Sequence, residues 1–226
     1  MAVVCRELKL LYLMTPRTGS SAVGFILVER LGGEFLPKED LFDAQGELLL
    51  PTRHNTLREL IKHGATTAEE AAGWLKVASV RNPFDSIVSL YTKRRNTKEL
   101  PEGIKSWSLG ERRFLREVKR AQKCSFTQWV LRTYWPRVIL GLLRINKKGQ
   151  LAKYAEGSDM IIRMEHLQED FDAVMKRVGV EEEVRVLKQN MTQGRESDYR
   201  SYYTPFARFL VRTAFGRDLQ RFGYEF

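Results

Sequence analysis

A short apolar run, Leu8 to Met14 (LKLLYLM), feeds a polar loop, Thr15 to Ser21 (TPRTGSS). The loop feeds a helical segment, Ala22 to Leu31, which Gly32-Gly33 ends. The same order returns with Trp74 to Val80 (WLKVASV), Asn82-Pro83 and Phe84 to Tyr91. This pattern admits few folds. A strand buried on both faces reads as a continuous apolar run, and strands separated by helices pair in parallel. Pro83 suits a first helical position and Asp85 a first helical turn, so the second helix start is well marked. Asp159 to Met164 (DMIIRM) is a third strand candidate, followed by a helix over Leu167 to Val178 that Gly179 closes. The expected fold class is α/β, with a mainly parallel central sheet flanked by helices.

Further helices are expected over Asn55 to His63, Thr67 to Gly73, Arg112 to Lys123 and Phe126 to Tyr134. Thr204-Pro205 opens a last one that runs through Phe222. Residues 34–53 read as turn-rich and 92–110 as basic and irregular. At 226 residues the chain fits one domain, 1–226. Hydrophobic residues make up 43%, which excludes disorder by composition. No apolar run reaches the roughly 18 residues of a membrane span. Met1 to Leu13 lacks the pattern of a secretory signal. Cys5 and Cys124 sit in no metal or redox spacing and read as reduced thiols of a cytoplasmic protein. The net charge of +10 suits a plain basic surface, an anionic substrate, nucleic acid or an anionic membrane face, and charge alone does not separate these.

The loop after the first strand is a ready anion site, because backbone N–H groups at a helix start point outward along the helix dipole. Gly19 lets the backbone come close to a phosphate. Thr18, Ser20 and Ser21 add hydroxyls, and Arg17 adds a fixed positive fork. The plain reading is a capped helix start. The string is neither the nucleotide-triphosphatase loop, which needs Gly-Lys-Ser/Thr, nor the dinucleotide fingerprint, whose glycine spacing Gly19 and Gly24 do not give. Arg81 falls at the carboxyl end of the second strand and Ser89 lies further along the helix that follows. Ligands of open α/β sheets bind at such ends. The two loops suit the two ends of one ligand with separated phosphate groups.

At these residues the sequence resembles the sulfotransferases that use 3′-phosphoadenylyl sulfate (PAPS). LLYLMTPRTGSSAVGFIL is similar to that family's 5′-phosphosulfate loop, and VRNPFDSIVSLY to its 3′-phosphate motif. IIRMEHLQEDF and the tail DYRSYYTPFARFLVRTAFGRDLQRFGYEF add likeness, the tail to bacterial and Golgi carbohydrate sulfotransferases. The resemblance is thin across 92–158. It implies a P-loop-like sulfotransferase architecture, PAPS as co-substrate, PAP as product and no metal. It further implies that Arg17, Thr18, Gly19, Ser20 and Ser21 hold the 5′-phosphosulfate, and Arg81 and Ser89 the 3′-phosphate. Arg17 stands where the family usually has a catalytic lysine. It cannot give up a proton, so its part would be electrostatic.

The acceptor hydroxyl needs a base, and a pKa near neutrality favours histidine. His54, between the two motifs, is the candidate that the resemblance raises. His63 reads as a helix C-terminal residue and His166 as a surface one. A carboxylate such as Glu59 is the alternative base. Glu165 reads as a tie between strand and helix, and Lys93-Arg94-Arg95 as a solvated face or a guide for an acidic acceptor. Tyr199, Arg200, Tyr202 and Tyr203 either cover the ligand or pack the tail. The partner is a hydroxyl-bearing acceptor, with the tail tilting the reading toward carbohydrate and no nucleic acid expected. Rival readings are a small Mg²⁺-dependent kinase or phosphotransferase, a non-catalytic basic nucleic-acid-binding module, and an inactive adaptor on the same fold. The sequence leaves the oligomeric state open.

Overall fold

The structure, a computed structural model, describes residues 2–52, 54–98, 109–143, 145, 149–186 and 194–226, with the backbone only over 109–113. In chain order the elements begin with β1 (Ala2–Cys5), β2 (Leu10–Leu13), α1 (Ser20–Arg30), β3 (Glu34–Leu36), β4 (Leu41–Phe42) and β5 (Leu48–Leu50). Next come α2 (Leu57–Lys62), α3 (Ala68–Ala72), β6 (Leu75–Val80), α4 (Pro83–Arg95), α5 (Leu109–Lys123) and α6 (Phe126–Leu142). The chain closes with α7 (Gln150–Tyr154), β7 (Met160–Arg163), α8 (Leu167–Arg177) and α9 (Pro205–Phe222). The chain divides into two compact units, Met1–Arg81 with Gln150–Asn190 and Asn82–Gly149 with Met191–Phe226.

The first unit holds a five-stranded sheet in the order β3-β1-β2-β6-β7. β2, β6 and β7 pair in parallel, and β1 opposes both β2 and β3. The expected mainly parallel α/β sheet is therefore present, with β1 as its one reversed strand among the described residues. β1 and β2 form a hairpin through the Arg6–Lys9 turn, closed by Lys9 N–H donating to the Arg6 carbonyl at 3.1 Å. The expected strand at Leu8 to Met14 is thus only the second arm of a pair, four residues long.

The apolar positions of these strands account for the core. Val3, Leu10, Tyr12 and Val77 on the sheet pack with Val23 and Leu27 of α1 and Phe171 and Val174 of α8. Gly24 is what lets α1 approach, since a Cβ there would lie 2.9 Å from the Met14 sulfur. Tyr12 can sit fully buried because its hydroxyl is hydrogen-bonded to that of Ser79 on β6. Burial also pushes its ionisation far above the usual range.

The second unit is helical. Phe84 and Tyr91 of α4, Trp129 and Val130 of α6, and Leu210 and Val211 of α9 form its core. α6 runs eight residues past the Tyr134 at which the sequence pattern ends it. Pro136 lies inside it and lacks the N–H that would bond to the carbonyl four residues back. That carbonyl, Arg132 O, instead accepts from the Arg120 guanidinium of α5 at 3.2 Å. α6 and α9 meet closely at Gly141, where a Cβ would stand 2.3 Å from the Thr213 carbonyl. Among the described residues no helix is long and apolar enough to cross a membrane.

Candidate functional site

The order of the sheet decides where a ligand goes. From β2 the chain passes through α1 to β3 on one side and later returns to β6 on the other. The carboxyl end of β2 is therefore a switch point, where neighbouring connections leave in opposite directions and open a crevice. The loop 15–21 begins there.

That loop is held by its own atoms. The Thr15 carbonyl accepts from the Thr18 hydroxyl at 2.9 Å and from the Ser20 hydroxyl at 2.8 Å. Thr18 is 0% exposed and Ser20 4% exposed. Their hydroxyl hydrogens are therefore committed to the loop, and what they offer an anion is the backbone N–H. Arg17 (φ 68°) and Gly19 (φ 70°) both take the left-handed conformation. Turns of this kind turn N–H groups into anion-binding concavities. Gly19 caps α1 without any side-chain hydrogen bond, and the first turn holds no acidic residue, so the positive end of the helix is not neutralised locally. The Thr15 hydroxyl is buried with no partner among the described residues, a polar group rarely left so. A Cβ at Gly19 would come 2.2 Å from the Met164 sulfur, so Met164, at the end of β7, closes over the backbone there. The donor set suits the phosphosulfate group that the sequence resemblance implies.

Arg81 joins this loop. Its Nη1 donates to the Arg17 carbonyl at 3.3 Å. β6 lies parallel to β2, so the residue at its end falls beside the loop that leaves β2. His54 also arrives here. Its Nδ1 lies 3.4 Å from the carbonyl of Met14, the residue just before the loop. His54 is left-handed as well (φ 63°). Non-glycine residues in that region are uncommon and collect at functional sites. Lys9, in the β1–β2 turn, is the other described one. Arg17, Thr18, Gly19, Ser20, Ser21, Arg81 and His54 are thus gathered at the switch point. Ser89 lies on α4 in the second unit, buried, nearly two turns from the helix start.

The remaining candidates have structural partners. Glu59 completes a capping box at the start of α2, its carboxylate accepting from the Thr56 N–H and hydroxyl at 2.8 Å each. Lys153 pairs with it at 3.4 Å. Partial burial pushes the Glu59 carboxyl up, but the Thr56 bonds and Lys153 bring it below the ordinary value, which makes it a weaker base. His63 is the residue that ends α2, and His166 faces Glu169 at 3.6 Å on the surface. Asn82 caps α4 and donates to the Glu225 carbonyl at 2.7 Å. Asp85 pairs with Arg195. Tyr203 donates to the Phe84 carbonyl at 2.9 Å and stacks edge-on against Phe84 and Phe226, and Tyr199 packs against Phe226. Both rings take part in tail packing. Arg94 lies over Phe114 and pairs with Glu117 at 3.2 Å, so it is tied between α4 and α5 rather than solvated. Met164 and Thr15 carried no signal in the sequence as parts of the loop. A methionine at a strand end and a threonine before a proline are ordinary there.

Among the described residues, no group of three or more His, Cys, Asp or Glu side chains gathers as it would around a metal ion. No curated protein and no solved structure matches the chain significantly. The profile described as "Sulfotransferase family" matches residues 1–225. A match over nearly the whole length, on a chain whose switch-point loop is built for an anion, leaves one assignment: the chain belongs to the sulfotransferase family.

Proposed function

We propose that the chain transfers a sulfuryl group from PAPS to a hydroxyl of an acceptor, carbohydrate being the favoured class, by in-line displacement without a metal. The observation that carries this reading is the Arg81 bond to the Arg17 carbonyl, which draws both predicted phosphate loops to the carboxyl ends of β2 and β6. PAPS supplies an activated sulfuryl group on a phosphate leaving group. The N–H groups of Gly19, Ser20 and Ser21, at the unneutralised start of α1, suit the 5′-phosphosulfate. Arg81 and Ser89 suit the 3′-phosphate. Arg17 meets negative charge as it grows on the leaving oxygen, where a fixed cation acts mainly in the transition state. His54 takes the acceptor proton. A proton on Nδ1 turned to the Met14 carbonyl leaves Nε2 as the basic nitrogen. Glu59 is set aside as the base because its oxygens serve the cap and Lys153.

Calorimetry with PAP tests the nucleotide half of this reading. One-to-one binding in the presence of a chelator, with none for ATP, supports it, and no heat at millimolar PAP overturns it. A screen of hydroxyl compounds with labelled PAPS then finds the acceptor class. Labelled carbohydrates support the carbohydrate reading, and labelled phenols or peptide tyrosine alone would replace it.

A further inference from the structure

The second unit carries a surface that no step of sulfuryl transfer uses. On α6, Trp135, Ile139 and Leu142 recur at helical spacing and are exposed, Trp135 by 48%. On α9, Phe206 and Phe209 are exposed by 50% and 49%. Large apolar side chains standing singly on a surface need no explanation, but a joined patch does.

The two stripes join. α6 and α9 pack against each other, and the Arg137 guanidinium of α6 lies over the Phe215 ring of α9, 5.4 Å from its centre. That contact marks one side of the seam between them. At roughly 100° per residue, Trp135, Ile139 and Leu142 project about 140–200° away from Arg137. Phe206 and Phe209 project about 120–180° away from Phe215 by the same count. Both stripes therefore lie on the opposite side of the seam and form one apolar face.

The charge around this face is of one sign. The two helices hold six arginines and a single acid, Asp218. Asp218 is fully buried. Arg132, Arg208, Arg212, Arg217 and Arg221 are exposed. A second copy of this chain seated on the face would bring arginines against arginines, since a two-fold contact sets each patch against itself. A surface with aromatic and aliphatic groups at its centre, arginines around it and no exposed acid from either helix is complementary to anionic headgroups over hydrocarbon.

We infer that the α6–α9 face docks the protein on an anionic lipid surface, its aromatic and aliphatic side chains entering the headgroup boundary while its arginines meet lipid phosphates. This is attachment to one leaflet, not insertion of a span, and it does not depend on PAPS.

Sedimentation of the full chain with phosphatidylcholine vesicles, with and without phosphatidylglycerol, tests it. Binding is expected only with phosphatidylglycerol and should fall as salt rises. The variant Trp135→Ser/Phe206→Ser/Phe209→Ser should lower the partition coefficient at least about tenfold. The variant Trp135→Leu/Phe206→Leu/Phe209→Leu should keep most of the binding. Arg212→Gln/Arg217→Gln should weaken binding and flatten its salt dependence. PAP calorimetry on each variant shows that the fold survives, and it separates failure of this proposal from failure of the nucleotide assignment. Absence of vesicle binding, or equal binding by the serine variant, overturns the proposal. So does a dimer in sedimentation equilibrium that the serine variant dissolves, because the face is then a subunit interface.

Discussion

Arg81 Nη1 donates to the Arg17 carbonyl at 3.3 Å, so a residue at the end of one strand grips the loop that leaves its parallel neighbour. The bond ties a side chain to a main-chain atom. It therefore fixes the loop whatever the Arg17 side chain is doing. Arg81→Ala should weaken PAP binding by about 1.5–3 kcal/mol, the scale of a charged hydrogen bond. Ser89→Ala should cost less, about 0.5–1.5 kcal/mol, as loss of a neutral donor does. Titration calorimetry reads both, and equal losses would remove the distinction.

Arg17 is a long side chain on a left-handed backbone (φ 68°). Arg17→Gly should therefore raise stability by about 1 kcal/mol, through relief of that conformation, while turnover falls. Arg17→Ala should lower turnover by a comparable factor without the gain in stability. PAP affinity should fall far less than turnover in both. Denaturant melts and steady-state rates on the same preparations check this, and a stabilised variant with full turnover would end the role given to Arg17.

His54→Ala should lower turnover about 10²–10⁴-fold with PAP binding nearly unchanged, as expected for a base that faces the acceptor. Near-normal turnover with lowered stability would make His54 a loop residue resting on the Met14 carbonyl.

Gly19→Ala should destabilise the protein, since its φ of 70° disfavours a side chain and the new Cβ would stand 2.2 Å from the Met164 sulfur. In a double-mutant cycle, Met164→Ala should recover the steric part and leave about 1–2 kcal/mol of backbone cost. Full recovery would mean that the backbone conformation carries no cost there.

Glu59 gives a pH test. Its folded pKa lies below the model value of 4.5, with burial opposing and the Thr56 bonds and Lys153 outweighing it. A depressed carboxyl adds stability above its unfolded pKa and loses it as pH falls through the folded value. Glu59→Gln should therefore be less stable than the parent at neutral pH, by about 0.5–1 kcal/mol given its exposure and its share in the cap. The two should converge as pH falls below about 4. A constant gap down to low pH would assign the whole effect to the cap.

The sequence made the sheet-and-helix order legible because Leu10–Leu13 and Leu75–Val80 are buried through nearly their whole length and so read as apolar runs. The helix starts were legible for a related reason. Asn82, Thr67 and Thr204 carry side chains that cap, and each donor–acceptor pair lies within three residues. β1 was not legible, because Ala2–Cys5 gains its meaning only from pairing across a turn. β3, β4 and β5 hid in a turn-rich stretch, being two or three residues long. The extension of α6 past Pro136 depends on Arg120, a residue of another helix, so local propensity could not announce it. In the loop, sequence named the right residues but not their division of labour. That Thr18 and Ser20 spend their hydroxyls on Thr15 is a matter of three-dimensional distance.

The two hydroxyl bonds to the Thr15 carbonyl have one more consequence. They shape the seven residues of the loop when the chain folds, before any anion arrives. A free peptide TPRTGSS would have to be ordered around its ligand, at a cost on the order of 7–14 kcal/mol for seven backbone residues. In the folded chain that entropy is already lost, so weak contacts from a few N–H groups suffice to capture an anion that water solvates well. The same economy makes the loop brittle. Thr18→Val/Ser20→Ala keeps every N–H that an anion would use, yet the binding it loses should appear as a more unfavourable entropy rather than a smaller heat.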